Sequence, residues 1–512
     1  MIRALRLPAG AVPQYLLALV AGAIAVPSFA PFNVWPLALI SLFVLFLLWR
    51  ETVTNKRAFA IGFAWGLGLF LVGVSWIFVS LHEYGHMPVV LAALATLLFA
   101  MYLSLYPALA GLLQHWLARR FAVTPVWRLA ALIPASFVLF EHARGWVVTG
   151  FPWLTFGYSQ APDGWLIGFA PIVGVHGISL LLAVSAGVAL LFVSSEKNRA
   201  QFALAVAIAL LWLGAVFLNT IEWSEPAGKP VRAALLQGNV SQHVKWREDE
   251  RARIFADYAS LIREANAQLV VLPESALPDL LERIPADYID AVKRDGVARN
   301  FDAIVGVPLS SRADSNAPFT YSNSAISLGA SATQRYDKQH LVAFGEFIPP
   351  LFSWVFQWLK IPMGDFTSGG DQQKPMAVAG QKVAVNICYE DAFGREIVRQ
   401  LPEATLLVNI SDMSWFGQSL APHQHAQFSQ MRAIETGRWM LRATNTGATM
   451  AIDERGHIVK TIPHFARGVL EVDAVPRNGT TPYVRVKDWV ALGAIVGLVL
   501  AAMFFGGRRQ KT

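Results

Sequence analysis

The sequence predicts a multi-pass α-helical membrane protein, with eight transmembrane helices and an external α/β domain inserted before the last of them. Three observations predict it. Hydrophobic residues make up 54% of the chain and charged residues 15%, outside the usual balance of a soluble domain. The apolar excess is concentrated in residues 1–220 and again in 489–512. Between them, short β-rich runs alternate with amphipathic helical runs, the grammar of an α/β domain.

Eight apolar stretches have the length that a hydrocarbon core of ~30 Å demands. They lie at 12–30, 33–49, 58–80, 88–117, 126–143, 164–194, 200–219 and 489–506. The start, MIRALRLPAG followed by an apolar run ending SFA, has the outline of a cleaved signal peptide. Further spans follow at once, so an uncleaved first helix is the reading adopted.

Basic residues gather on alternate sides of these spans. Arg3 and Arg6 precede the first; Arg50, Lys56 and Arg57 follow the second. Arg119, Arg120 and Arg128 follow the fourth, Lys197 and Arg199 the sixth, and Arg508, Arg509 and Lys511 the eighth. The loops at 31–32, 81–87 and 144–163 hold only Arg144. By the positive-inside rule both termini are cytoplasmic and residues 220–488 lie outside. Those residues carry 28 Lys+Arg against 30 Asp+Glu, so the net charge of +7 comes from the anchoring loops. Basicity here gives no reason to expect nucleic acid.

Some polar features of the membrane half invite functional readings. Gly62, Gly66, Gly68 and Gly73 have the look of a nucleotide loop, but inside a span they signify close helix packing. His82, Glu83 and His86 lack a fourth ligand and read as an interfacial loop, so no metal is expected. Glu141, His142 and Arg144 end the fifth span, where a charge is a functional hint. The aromatic loop GWVVTGFPWLTFGYSQAPDGW at 145–165 reads as a headgroup-level anchor, with substrate lining as the alternative. No internal repeat suggests an inverted-repeat transporter.

In the external region, RAALLQGNV, AQLVVLPES, FDAIVGVPL, YSNSAISLG, KVAVNI, ATLLVNISD, RWMLRATNTG and ATMAIDERGHIV read as strands. Helices are expected over 244–266, 287–300 and 423–437, the first with Ile254, Tyr258, Leu261 and Ile262 on one face. The domains are thus 1–220, a seven-helix bundle; 221–488, the external domain; and 489–512, the last helix and a cytoplasmic tail.

Cys388 is the only cysteine, so no intramolecular disulfide exists, and a domain of this size can bury a core without one. In KVAVNICYEDAFGRE it falls where a period-2 strand ends. Alone it reads as a small buried hydrophobe as readily as a nucleophile. Glu274, after the apolar run LVVLP, and Lys338, in RYDKQHLVAFGEFIP, end strands in the same manner. Together they make chemical sense. A thiol needs a base or a neighbouring cation to become a nucleophile. A buried glutamate can take its proton, and an ammonium can stabilise the oxyanion of a tetrahedral intermediate.

The order and wording of LPESALP, YDKQHLVAFGEFIP, NICYEDAF and NISDMSWFG resemble the nitrilase superfamily, whose members use a Glu–Lys–Cys triad in an αββα sandwich. Eight spans around such a domain narrow the resemblance to the bacterial apolipoprotein N-acyltransferases. The resemblance implies Glu274 as general base, Lys338 as oxyanion-stabilising cation and Cys388 as nucleophile. It implies Glu346, Tyr389 and Glu390 as supporting residues, and Trp246 and Trp415 as substrate-contacting aromatics. It further implies no cofactor, a phospholipid acyl donor such as phosphatidylethanolamine, a diacylglyceryl-apolipoprotein acceptor, and a place in the bacterial inner membrane with the catalytic domain in the periplasm. A membrane-tethered amidase is the enzyme alternative; a transporter or receptor with an external ligand-binding domain is the alternative from another class.

The segment FIPPLFSWVFQWLKIPMGDFTSGG after Glu346 is strongly apolar for a solvent-facing insertion. It reads as an arm dipping into the outer leaflet, with a buried core helix as the alternative. Trp354 and Trp358 are its expected lipid-contacting residues, and Gly364, Gly369 and Gly370 its candidate hinges. Such an arm lets a water-side thiol reach an ester at the headgroup boundary.

Overall fold

A computed structural model describes residues 7–8, 10–194, 199–312, 318–349 and 366–507. The chain divides into two units: Met1–Ile221 with Gln418–Gln427 and Val486–Thr512, and Glu222–Gly417 with Phe428–Arg485. The segment 418–427 therefore counts with the apolar unit, which a division into contiguous blocks does not foresee.

The apolar unit is built from α1 (Ala11–Ile24), α2 (Pro36–Arg50), α3 (Asn55–Gly73), α4 (Val89–Arg120), α5 (Ile133–Arg144), α6 (Ala170–Ser194), α7 (Arg199–Leu218) and a C-terminal helix, Trp489–Phe504. Among the described residues six segments are long and apolar enough to cross a membrane: Ala11–Ser28, Asn55–Gly73, Val89–Arg120, Pro125–Arg144, Ile167–Val193 and Gln201–Leu218. The other two apolar helices, α2 and the C-terminal one, are 15 and 16 residues long.

The glycines of α3 work as packing surfaces. A Cβ at Gly62 would run into the Pro107 carbonyl of α4, and one at Gly68 into the Leu19 carbonyl of α1. Small residues let these backbones approach closely where no hydrophobic effect drives helices together. The aromatic loop is divided: Trp146 and Trp165 are exposed, as an anchor would be, and its middle is not. Trp153, Phe156 and Tyr158 are buried, Phe156 packing on Trp65, Phe29 and Phe137. Glu141 and Arg144 explain why. Arg144 Nη1 donates to the Phe151 and Trp153 carbonyls at 2.5 Å each, and Glu141 Oε1 accepts the Phe156 N–H at 2.8 Å. The two charges at the end of α5 pin the loop inward. His82 Nδ1 lies 2.9 Å from the Met87 carbonyl of its own loop.

The second unit holds two six-stranded sheets. In chain order its main elements are β1 (Val231–Gln237), α8 (Glu248–Glu264), β2 (Leu269–Val271), α9 (Ala286–Arg299), β3 (Asp302–Ser311), β4 (Thr320–Gly329), β5 (Arg335–Asp337), β6 (Met376–Val378), β7 (Gln381–Ile387), β8 (Leu406–Ser411), the part of α10 (Ala421–Thr436) from Phe428 onward, β9 (Met440–Thr444), β10 (Met450–Ile452), β11 (Ile458–Thr461) and β12 (Gly468–Ala474). One sheet has the order β12-β1-β2-β3-β4-β5 and the other β11-β10-β9-β8-β7-β6. The pairs β1–β2, β2–β3, β7–β8 and β8–β9 are parallel and the rest antiparallel.

Strand alternation decides which face meets which layer. Val231, Ala233, Leu235 and Val271 of the first sheet join Val383, Val385, Ile387, Val408, Ile410 and Leu441 of the second in one inter-sheet core. The alternate residues Ala234, Leu236 and Val270 face outward onto Ile254, Phe255, Tyr258, Leu261 and Ile262 of α8. The expected apolar face of α8 is thus the buried one. The outward face of the second sheet sets Asn386, Asn409 and Arg442 beside the buried apolar residues Ala384, Leu407 and Met440, and Ser429 of α10 lies against Arg442.

Candidate active site

Glu274, Lys338 and Cys388 each follow a strand directly or within a few residues, two of them on the first sheet and one on the second. Glu274 follows β2, and its backbone lies against β3 at Gly306. A Cβ there would meet the Pro273 carbonyl and stand 2.7 Å from Glu274 Cα, so only glycine allows that approach. Lys338 follows β5, with its N–H donating to the Asn323 carbonyl at 2.8 Å. Cys388 follows β7 with φ +54°, a left-handed backbone that costs a non-glycine residue about 1–2 kcal/mol. That turn is held from both sides. Asn409 Nδ2 donates to the Cys388 carbonyl at 3.1 Å, and Glu390 Oε2 accepts the Ile387 N–H at 2.6 Å.

The structure brings Lys338 between two carboxylates. Its Nζ donates to Glu346 Oε1 at 2.8 Å and to Glu274 Oε1 at 3.3 Å. Asn323 Nδ2 donates to the same two oxygens at 2.7 Å each. Glu274 Oε2 accepts the Asp412 N–H at 2.9 Å, and Glu346 Oε2 the Val342 N–H at 2.8 Å. Burial draws the Lys338 ammonium down, but Glu274 and Glu346 outweigh it and hold the group above its ordinary value. Burial and the Glu274 charge push the Cys388 thiol well above its usual range, Glu346 adds to this, and Lys338 and Arg442 oppose it. The surroundings thus favour the protonated form of both the Cys388 thiol and the Lys338 amine.

The other residues singled out by the resemblance differ in their contacts. Besides Ile387, Glu390 accepts the Gln339 and His340 N–H groups at 2.6 and 3.2 Å and the Tyr336 hydroxyl at 3.1 Å. It ties the turn at Cys388 to the strand end at Lys338, and burial pushes its carboxyl up to about 7. Tyr389 packs edge-on against Phe393, with ring centroids 5.0 Å apart. Trp246 and Trp415 are both substantially exposed. Each follows a residue tied to Asp412: Lys245 Nζ donates to Asp412 Oδ2 at 2.5 Å, and Ser414 Oγ to Asp412 Oδ1 at 2.6 Å. Trp354 and Trp358 lie outside the described residues, as does Gly364. Of the segment's base, Phe366 N–H donates to the Glu346 carbonyl at 2.9 Å, and Gly369 N–H to the Lys338 carbonyl at 2.9 Å.

Residues 21–188 match the model of the apolipoprotein N-acyltransferase N-terminal domain, and residues 232–482 that of the carbon-nitrogen hydrolases. The apolipoprotein N-acyltransferase of Nitrosomonas europaea is 44% identical over 494 residues, 96% of this chain and 97% of its own. The chain belongs to the apolipoprotein N-acyltransferase family. The apolipoprotein N-acyltransferase of Chromobacterium violaceum is 40% identical over 97% of this chain and 94% of its own length. Among solved structures, the NitFhit protein of C. elegans aligns with 55% of this chain and 66% of its own at 17% identity and a TM-score of 0.38.

Several buried polar residues around Glu274, Lys338 and Cys388 are not foreseen from the sequence. Lys245 joins the Glu274 carbonyl, at 3.2 Å, to Asp412. Its signal was its place beside Trp246 in VKW, where a lysine otherwise reads as solvated. Asn323, in the middle of β4, gives no signal of its own. A third feature is a polar row across the second sheet: Asn386 pairs in register with Asn409, and Asn409 with Arg442. Arg442 Nη1 donates to Asn409 Oδ1, Asp391 Oδ2 and Ser429 Oγ at 2.8–2.9 Å. Alternation in NICYED, LVNISD and LRATN marks these positions once the inward face is known.

Proposed function

We propose that this protein moves an acyl chain from a phospholipid, through a thioester on Cys388, to the α-amine of the N-terminal diacylglyceryl-cysteine of lipoproteins. The observation that carries this reading is the Lys338 ammonium bound between Glu274 and Glu346 with its charge acting on Cys388, in a chain of this family. Glu274 takes the thiol proton as Sγ attacks the ester carbonyl. Lys338 stabilises the oxyanion, and Glu274 returns the proton to the departing lysophospholipid oxygen. In the second half-reaction the lipoprotein amine attacks the thioester. Glu274 accepts a proton from the amine, the tetrahedral intermediate expels the thiolate, and the thiol is reformed with the amide. Glu346 and Asn323 keep Glu274 and Lys338 at fixed spacing, and Lys245 with Asp412 fixes the backbone of the base.

In this reading the donor is phosphatidylethanolamine, and the protein lies in the bacterial inner membrane with both termini cytoplasmic and the catalytic unit periplasmic. All eight apolar helices span. For the 16-residue C-terminal helix the support is its ends: Trp489 at one, Phe504 and Phe505 at the other, all about three-quarters exposed, as aromatic anchors at two interfaces would be. Trp246 and Trp415, with Trp354 and Trp358 of the arm, contact lipid.

Intact-mass measurement after incubation with phosphatidylethanolamine tests the reading. The expected result is one added acyl group, removed by neutral hydroxylamine or by a diacylglyceryl-cysteine peptide, and absent from Cys388→Ser. Peptide acylation by Cys388→Ser at the wild-type rate would overturn it.

A further inference from the structure

The end of α5, the first turns of α6 and the residue before the C-terminal helix meet at His142, His176 and Asp488. A ring nitrogen from each histidine and a carboxylate oxygen of Asp488 lie within 4.8 Å of one another. His176 Nδ1 stands 3.4 Å from Asp488 Oδ1, and the two imidazoles have centroids 4.7 Å apart at 77°. Among the described residues no other histidine, cysteine and carboxylate side chains gather three or more so closely. His176 is 9% exposed, with the ring edge that carries Nδ1 turned toward Asp488.

We infer that His142, His176 and Asp488 form a binding site for a divalent transition-metal ion of the zinc kind. Ligands at about 2.0–2.2 Å from a tetrahedral ion stand roughly 3.3–3.6 Å from one another. The His176–Asp488 separation already has that value, and small side-chain rotations bring in His142. Two imidazoles and one carboxylate suit zinc, with water in the fourth position, whereas magnesium and calcium prefer all-oxygen sites. The ion supplies what packing does not. The C-terminal helix buries only Ala491, Ile495 and Ala502, and a clip from His176 to Asp488 closes a loop of 312 residues. Clips across long loops remove the most chain entropy from the unfolded state. The site is invisible in the sequence because its three ligands share no local spacing.

The test uses the purified full chain in detergent, in a Cys388→Ala background so that no thiol can bind metal. Titration with Zn²⁺, and with Co²⁺ read by visible absorption, is expected to show one ion per chain with the spectrum of a tetrahedral nitrogen–oxygen site. His176→Ala and, separately, Asp488→Asn are expected to weaken binding at least tenfold. Added zinc should raise the Tm of the parent and not of His176→Ala, and chelator should reverse the gain. His142→Ala provides a third variant should one of the others fail to fold. Absence of stoichiometric binding, or binding and stabilisation unchanged in all folded variants, would overturn the site.

Discussion

Cys388 feels two opposed charges, and each can be removed without changing side-chain size. Glu274 raises the thiol and Lys338 lowers it. Glu274→Gln should therefore move the midpoint of iodoacetamide alkylation to lower pH, and Lys338→Met should move it higher. Glu274→Gln should nonetheless slow thioester formation by about 10²–10⁴-fold, the usual contribution of a general base. A more acidic thiol with less turnover distinguishes a proton acceptor from a mere electrostatic neighbour. Shifts of the same sign in the two variants would contradict the assignment. Glu390 offers a second check. Its folded value of about 7 stands above the ordinary 4.5, so the folded state holds the proton more tightly. Stability from this group is full below pH 4.5 and falls as pH rises through about 7, by up to about 3 kcal/mol. Glu390→Gln lacks that titration while losing an acceptor for the turn at Cys388. Its Tm deficit relative to the parent should thus be larger at pH 5 than at pH 8; a deficit independent of pH would refute the shift.

At the scale of elements, the second sheet presents a charged row where a sandwich would ordinarily place apolar side chains. Arg442 and Asp391 are both fully buried and 2.9 Å apart. Arg442→Met should strand the Asp391 carboxylate at a cost of about 3–5 kcal/mol, because a buried charge without its partner is worse than no pair. Arg442→Met combined with Asp391→Asn should recover much of that loss in a thermal-unfolding cycle; additive losses would mean the two act independently. The row also shows where the sequence was readable. Period 2 in VAVNI and LLVNIS placed Val383, Val385, Val408 and Ile410 on one face, and that face is the inter-sheet core. The same alternation assigned Asn386 and Asn409 to the opposite face, but could not say that this face is also buried. Register between strands distant in sequence decides that. Glu274 and Cys388 were readable because each comes at or just after the end of an apolar strand, and Lys338 because it follows the short strand Arg335–Asp337. Lys245 and Asn323 were not, since their partners Glu274, Asp412 and Glu346 lie many residues away. In the aromatic loop only the middle escapes for a related reason: Trp153 and Phe156 look like interface anchors, as the exposed Trp146 and Trp165 do, until Arg144 and Glu141 are seen to draw them inward.

At the scale of the whole molecule, the proposed topology rests on the distribution of arginine and lysine among loops, and the chain's single cysteine makes it directly measurable. Cys388→Ala removes the only thiol, so a cysteine introduced anywhere becomes the sole target of a membrane-impermeant maleimide. Val53, between α2 and α3, is 66% exposed and lies in a loop bearing Arg50, Lys56 and Arg57, which the positive-inside rule places in the cytoplasm. Ala298, near the end of α9, is exposed in the catalytic unit. In cells whose outer membrane has been made permeable, Ala298→Cys should be labelled within minutes and Val53→Cys only after the inner membrane is lysed. The pair guards against false silence, because Val53→Cys must react fully once lysed. If the order is reversed, the catalytic unit is not periplasmic; if both react before lysis, the two positions lie on one side and the span count fails. An odd number of spans between the two positions is what produces opposite answers. Between residues 53 and 298 the eight-span reading counts five, at 58–80, 88–117, 126–143, 164–194 and 200–219, so losing any one of them would put both cysteines on the same side. The labelling order therefore tests the span count together with the orientation.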